Sequence, residues 1–306
     1  MKRTALVAAI VVVIAACSSP NSETTTILTG AIFPVTVEAD NGSIVIDDYP
    51  EVVISLSSTA TEMLFAIGAG PQVVAVDDQS NYPPEAPVTD LSGFTPNLEA
   101  ILSYEPDLVV ITFDPGDLIA GLEAAGVPVL SYTAALTIDD VYRQMEALGS
   151  ATGNLEEAQD ANQSIEVDLA TIVDDAGTSG EGATYYHEID ALLYTATSST
   201  FFGEIYQLFG MENIADPADE DGDAFGYPQL SEEYVVASDP NIIFLANVLY
   251  GESAETVSAR PGWEAMSAVA SGDIVELDSD VASRWGPRIV DFAQSIADGL
   301  KDYQAG

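Results

Sequence analysis

Positive charge is what this sequence has least of: 7 Lys and Arg stand against 50 Asp and Glu, a formal net charge of −43. A phosphate backbone or an anionic bilayer surface would be repelled by such a molecule, so nucleic-acid binding is excluded. Cysteine occurs once, at Cys17, which rules out a disulfide within the chain. Histidine also occurs once, at His187, so no site of three imidazoles can be assembled. The longest apolar run, Ala5 to Ala16, is too short for a membrane-spanning helix, which needs about 20 residues. Neither a Gly-x-Ser-x-Gly elbow nor a phosphate-binding glycine loop is present. A hydrolase would have to take His187 as its only imidazole base.

What is present begins at the N-terminus. Lys2 and Arg3 precede the apolar run, and Ile14-Ala15-Ala16 lead directly into Cys17. A basic start, a short apolar core and small residues at the cut read as an export signal over residues 1–16. The placement of Cys17 resembles a bacterial lipobox, in which cleavage leaves that cysteine to carry a diacylglycerol. The alternative is an ordinary signal with an incidental cysteine. Residues 17–30 are rich in Ser, Thr and Asn and read as a flexible tether. After removal of the signal the basic residues are Arg143, Arg260, Arg284, Arg288 and Lys301. The acids are scattered, with a denser run at Asp216–Asp223, as on a solvated surface suited to a saline exterior.

The body of the chain alternates short apolar strands with helix-spaced segments. A hairpin is expected around Asp40-Asn41-Gly42, between Val35–Val37 and Ile44–Ile46. Strands are expected at Val52–Leu56, Val73–Val76, Leu108–Ile111 and Val127–Leu130, with helices at Thr61–Ile67, Leu98–Ser103 and Leu118–Ala124 between them. This β-α-β-α order argues an α/β fold with parallel sheets. A helix at Ile138–Leu148 should be closed by Gly149 and Gly153. The next stretch, Leu155 to about Val173, has neither Gly nor Pro, with Asn154 as cap and Glu157 in capping-box position. The alternation then resumes, with strands at Thr184–Tyr186, Ile242–Leu245 and Val275–Leu277 and helices at Phe202–Phe209, Tyr234–Ala237 and Ile289–Leu300.

The two halves echo each other. Asn97-Leu98-Glu99-Ala100 leads to Glu105-Pro106-Asp107-Leu108 with the same spacing by which Ser231-Glu232-Glu233-Tyr234 leads to Asp239-Pro240-Asn241-Ile242. Glu62 to Gly68 likewise matches Glu204 to Gly210. The expected plan is an N-terminal lobe (31–153), a linking helix (154–176) and a C-terminal lobe (177–306). The lobes would share one topology and be joined by a single long helix, with a ligand cleft between them.

Several motifs in this order carry a family resemblance: Phe33-Pro34-Val35, Val53-Ile54-Ser55-Leu56-Ser57, Asn81-Tyr82-Pro83-Pro84-Glu85, Pro96-Asn97-Leu98-Glu99, Leu193-Tyr194-Thr195, Glu212-Asn213-Ile214-Ala215, Arg260-Pro261-Gly262-Trp263 and Gly286-Pro287-Arg288-Ile289. The chain resembles the helical-backbone class of periplasmic substrate-binding proteins, which serve ABC transporters for cobalamin and ferric siderophores. That resemblance implies two Rossmann-like lobes joined by one long rigid α-helix, with the ligand bound between them. It further implies a non-enzymatic binder with an ABC permease as partner and a membrane link through the lipid anchor only. With one histidine, any metal should arrive already chelated, and no cofactor is expected. It also implies that Tyr82, Phe94, Tyr194 and Tyr227 line the cleft and that Asp280 and Arg284 make polar ligand contacts. The bland reading of the four aromatics is as loop anchors on the core. Arg288 and Arg260 are expected to be structural, with Trp263 in the core, and His187 to be a satisfied strand residue. In the family one glutamate on each lobe meets permease arginines, and Glu99 and Glu233 occupy the matching positions. Their simpler role is to favour helix starts. Few cations favour a corrinoid or a neutral or cationic hydroxamate over a ferric catecholate, while the N-terminal hairpin is more siderophore-receptor-like. The competing readings are a surface hydrolase and an adhesive lipoprotein.

Overall fold

A computed structural model describes residues 33–305, so Cys17, the export signal and the tether lie outside the described residues. The chain opens with an antiparallel hairpin of β1 (Val35–Ala39) and β2 (Gly42–Ile46), in register Val35 to Ile46. Its two-residue tip is Asp40-Asn41, one position earlier than an Asn-Gly turn requires. The reason is anchorage. Asp40 Oδ2 accepts from the backbone and hydroxyl of Thr133, while Asn41 accepts from Ser131 N and donates to the Val129 carbonyl. Gly42 then starts the return strand at φ +113, which an L side chain resists.

Two parallel sheets follow. The first contains β3 (Val53–Leu56), β4 (Val73–Asp77), β5 (Val88–Leu91), β6 (Leu108–Ile111) and β7 (Val129–Ser131), in the order β5-β4-β3-β6-β7. The second contains β8 (Thr184–Glu188), β9 (Glu212–Asn213), β10 (Ile242–Leu245) and β11 (Ile274–Glu276), in the order β11-β10-β8-β9. The helices are α1 (Ser58–Ala66), α2 (Leu98–Leu102), α3 (Leu118–Ala124), α4 (Ile138–Thr152), α5 (Leu155–Ala176), α6 (Phe201–Leu208), α7 (Glu232–Ser238), α8 (Ala254–Ser258), α9 (Ser267–Ser271) and α10 (Ile289–Ala305).

Both sheets have one topology. In each, the first strand in sequence lies inside the sheet, the second pairs on one side and the last two build out on the other; the first sheet carries one extra strand, β5, beyond β4. The sequence repeat is visible in detail. Asn97 caps α2 and Ser231 caps α7, each accepting from a backbone N–H. Glu105 and Asp239 both turn with positive φ, 52 and 47. Asp107 and Asn241 then lock each following strand to its neighbour, through Glu51 and Val52 N–H in one lobe and Thr184 in the other.

Strands buried on both faces explain the continuous apolar runs. Along β6, Leu108 and Val110 enter one core and Val109 and Ile111 another; along β10, Ile242 and Phe244 alternate with Ile243 and Leu245 in the same way. The outer face of the first sheet packs on Ile101, Leu118 and Leu122, from α2 and α3. The outer face of the second packs on Val235, Val257 and Trp263. The inner faces share a single core. It runs from Val53, Met63 and Leu108 through Met145, Leu148, Ala158, Ile165 and Leu169 to Tyr185, Tyr206, Phe244 and Phe292.

The long helix α5 spans 22 residues, about 33 Å at 1.5 Å per residue. It packs on both α4 and α10. α4 does not stop at Gly149 but runs through it to Thr152 and ends at Gly153, φ +78. Gly149 is needed for closeness: a Cβ there would lie 2.7 Å from Ala158 Cβ. The capping box expected at Asn154 does not form. The Asn154 amide instead donates to Gln72 Oε1 and the Thr152 carbonyl, binding the helix junction to the first sheet. A capping box forms one helix earlier, between Thr137 and Asp140.

Candidate functional site: a cleft between the two sheets

Loops that leave the C-terminal ends of strands in both sheets close around one cavity of about 240 Å³. The first sheet contributes Ser57, Thr59, Asp77, Gly93, Phe94, Thr112 and Phe113; the second contributes Tyr250, Asp280, Ser283, Arg284 and Trp285. In open α/β sheets this is where ligands bind. Larger depressions exist, one of about 630 Å³ beside β1 and α4, but its walls take nothing from the second sheet.

The apolar part of the cleft is aromatic. Phe94 and Phe113 stack with ring centroids 5.5 Å apart and planes at 29°. Both are exposed, at 62 and 53 per cent, and Tyr250, which lines the same cavity, is 83 per cent exposed. Three large rings held open to solvent around one cavity give a flat ligand a stacking surface. Behind them lies a hydroxyl network: Thr112 Oγ1 donates to Ser57 Oγ, and Thr61 is within hydrogen-bond distance of Ser55 and Ser80. Burial raises the carboxyl of Asp77 above its ordinary range, against the hydrogen bond from Ser80.

The charged part is an ion network that crosses the cleft. Glu62, on α1, is fully buried. It accepts from Arg284 Nη1 at 2.7 Å and from Arg288 Nε and Nη2 at 2.9 and 2.6 Å. Arg284 Nη2 also donates to Asp280 Oδ1 and to the Gln79 carbonyl. Asn81 donates to the other Asp280 oxygen at 2.8 Å. The Arg288 guanidinium lies 4.3 Å from the centre of the Tyr82 ring. Burial works to lower the Arg288 pKa, but the hydrogen bonds and charge of Glu62 hold it above its ordinary value. Two carboxylates thus neutralise two guanidiniums.

Of the residues the sequence singled out, Phe94, Asp280 and Arg284 line this cavity. Tyr82 joins them through Arg288. Arg284 is not a free fork for a ligand, because Glu62, Asp280 and Gln79 already engage it. Tyr194 and Tyr227 are not brought into the cavity. Tyr194 is half exposed and its backbone bridges to Gln229, while Tyr227 packs against the shared core, where burial raises its hydroxyl pKa. Glu99 and Glu233 are exposed in the first turns of α2 and α7.

His187 is buried among Phe202, Tyr206 and Phe292, with Nδ1 2.9 Å from the Tyr206 hydroxyl. Arg260 is structural, forking onto Glu188 at 2.6 and 2.7 Å over the buried Trp263 ring. Sequence inspection missed Phe113, Tyr250, Trp285 and Glu62. Phe113 was within reach, since it closely follows the legible strand Leu108–Ile111. Glu62 was not, because its partners lie 222 and 226 residues away.

A two-lobed α/β molecule with its cleft at the carboxyl ends of both sheets has the architecture of a solute receptor. The chain belongs to the periplasmic binding protein family, whose profile matches residues 53–281. It is 31% identical over 279 residues to a cobalamin-binding protein of Halobacterium salinarum, covering 88% of this chain and 74% of that one. An uncharacterized ABC transporter substrate-binding lipoprotein of Bacillus subtilis is 29% identical, covering 88% of this chain and 86% of the relative. Among solved structures, the periplasmic vitamin B12 binding protein of Vibrio cholerae superposes with a TM-score of 0.68 at 28% identity, over 84% of this chain and 99% of that one.

Proposed function

We propose that this protein is the substrate-binding component of an ABC importer and that its cargo is a metal chelate, a corrinoid before a ferric siderophore. The observation that carries this reading is the cavity itself: stacked Phe94 and Phe113 line it together with Tyr250, and the one guanidinium in the wall is already neutralised. Such a site suits the flat face of a neutral or cationic ligand that extends beyond the cavity, and repels a strongly anionic ferric catecholate. The cobalamin-binding relative supports the same cargo. A surface hydrolase is disfavoured because its only imidazole, His187, is sealed in an aromatic cluster away from the cleft. The test is fluorescence or calorimetric titration of the purified protein with cyanocobalamin, a ferric hydroxamate and a ferric tricatecholate. Saturable binding of cyanocobalamin, with none of the tricatecholate, is expected; binding of the tricatecholate alone would overturn the reading.

Export and lipid attachment at Cys17 complete the proposal, supported by the basic, apolar leader and by the lipoprotein relative. Cys17→Ser should move the protein from the membrane fraction to the soluble one or stop its maturation. An unmodified N-terminal peptide in the wild type would contradict it.

A further inference from the structure

We infer that Glu62 is a positioning residue of the cleft, which sets both the orientation of the ligand-facing groups and the net charge that a ligand meets. The inference rests on the chelate-binding reading above. Glu62 belongs to the first lobe, yet both of its partners come from the segment after β11 in the second. A single buried carboxylate accepts three charge-assisted hydrogen bonds, from guanidiniums that are themselves 7 and 13 per cent exposed. Each arginine then holds a group at the cleft. Arg288 lies over the Tyr82 ring, and Arg284 holds Asp280, whose second oxygen is fixed by Asn81. The loop of residues 79–82 and the segment of residues 280–288 are therefore stitched together across the cleft around one carboxylate.

The charge balance depends on the same residue. With Glu62 in place, two acids face two guanidiniums. Without it, Arg284 keeps only Asp280 and Arg288 loses its hydrogen-bonded carboxylate, retaining the more distant charges of Asp278 and Asp280, so the wall at Arg284 becomes more positive by one unit. A neutral ligand would lose the fixed Tyr82 ring, while an anionic one would gain a partner. A merely structural role for Glu62 would weaken every ligand alike, so the ratio of two affinities separates the two roles.

The experiment uses two corrinoids of the same size, cyanocobalamin and its monocarboxylic acid derivative, in which one side-chain amide has been hydrolysed. The wild type is expected to bind the neutral form more tightly. In Glu62→Gln the neutral-to-acid affinity ratio should fall by about tenfold or more, as one uncompensated charge at short range requires. Glu62→Asp keeps the charge and shortens the reach, so it should retain the ratio while binding both forms more weakly. Should Glu62→Gln fail to fold, Arg288→Met decides instead. It removes the guanidinium that does not line the cavity and leaves Glu62 and Asp280 on Arg284, so the neutral-to-acid ratio should rise above that of the wild type. An unchanged ratio in Glu62→Gln, or an unchanged or lower one in Arg288→Met, overturns the inference and leaves the chelate-binding reading intact. A wild type that binds neither corrinoid overturns the corrinoid reading, and the inference with it.

Discussion

His187 is the chain's one histidine, and it sits where water does not reach. Burial lowers its pKa from 6.5 to about 4, because a charged imidazolium among Phe202, Tyr206 and Phe292 would be poorly solvated. The folded state therefore takes up its proton later than the unfolded chain does. Its contribution to stability is complete above about pH 6.5, declines as the pH falls towards about 4, and changes no further below that. The full loss is on the order of 3 kcal/mol. In His187→Phe that part of the pH dependence should vanish, so denaturant melts of the two proteins between pH 7.5 and 4.5 should diverge in slope. Parallel slopes would show that the imidazole titrates normally. The strand position of His187 was legible from sequence, and so was the structural bias of a lone histidine. The surrounding rings, from α6 and α10, were not, since nothing local specifies them.

Elements were legible where burial imposed a period. β6, β10 and α3 coincide with their apolar runs, because both faces of those strands, or one full face of that helix, are covered. β5 was not found, because Thr89 and Asp90 break its pattern at a sheet edge where one side needs no apolar cover. β9 has two residues and α8 and α9 five each, too few to show a period. α5 is the element with the largest mechanical consequence. A bend within it would break hydrogen bonds along an uninterrupted ladder, and Ala158, Ile165 and Leu169 are embedded in the core that both lobes share. Small-angle scattering with and without ligand should give nearly coincident radii of gyration. A clear contraction on binding would refute the rigid-helix account.

At the scale of the whole molecule, the repeat visible in the sequence becomes two sheets of one topology, and it places Glu99 and Glu233 at matching helix starts. Both are exposed and lack side-chain partners among the described residues. We predict that they dock the permease and do not contribute to cargo affinity, since rim charges act mainly on encounter rate and salt dependence. Glu99→Arg/Glu233→Arg should bind ligand as the wild type does. Stimulation of the transporter's ATPase at low salt should fall by roughly tenfold. Normal stimulation, or lost ligand binding, would remove both residues from that role. The acidic surface was legible from composition alone, but the pairing of Glu62 with arginines more than 200 positions away was not.

The shared inner core carries a last consequence. If the scattering expectation holds, a carrier whose halves are fused in this way shows the importer one posture, empty or laden. News of its cargo would then be written at the lip of the cleft, in whether rings such as Phe113 and Tyr250 are bare or covered when the importer meets them.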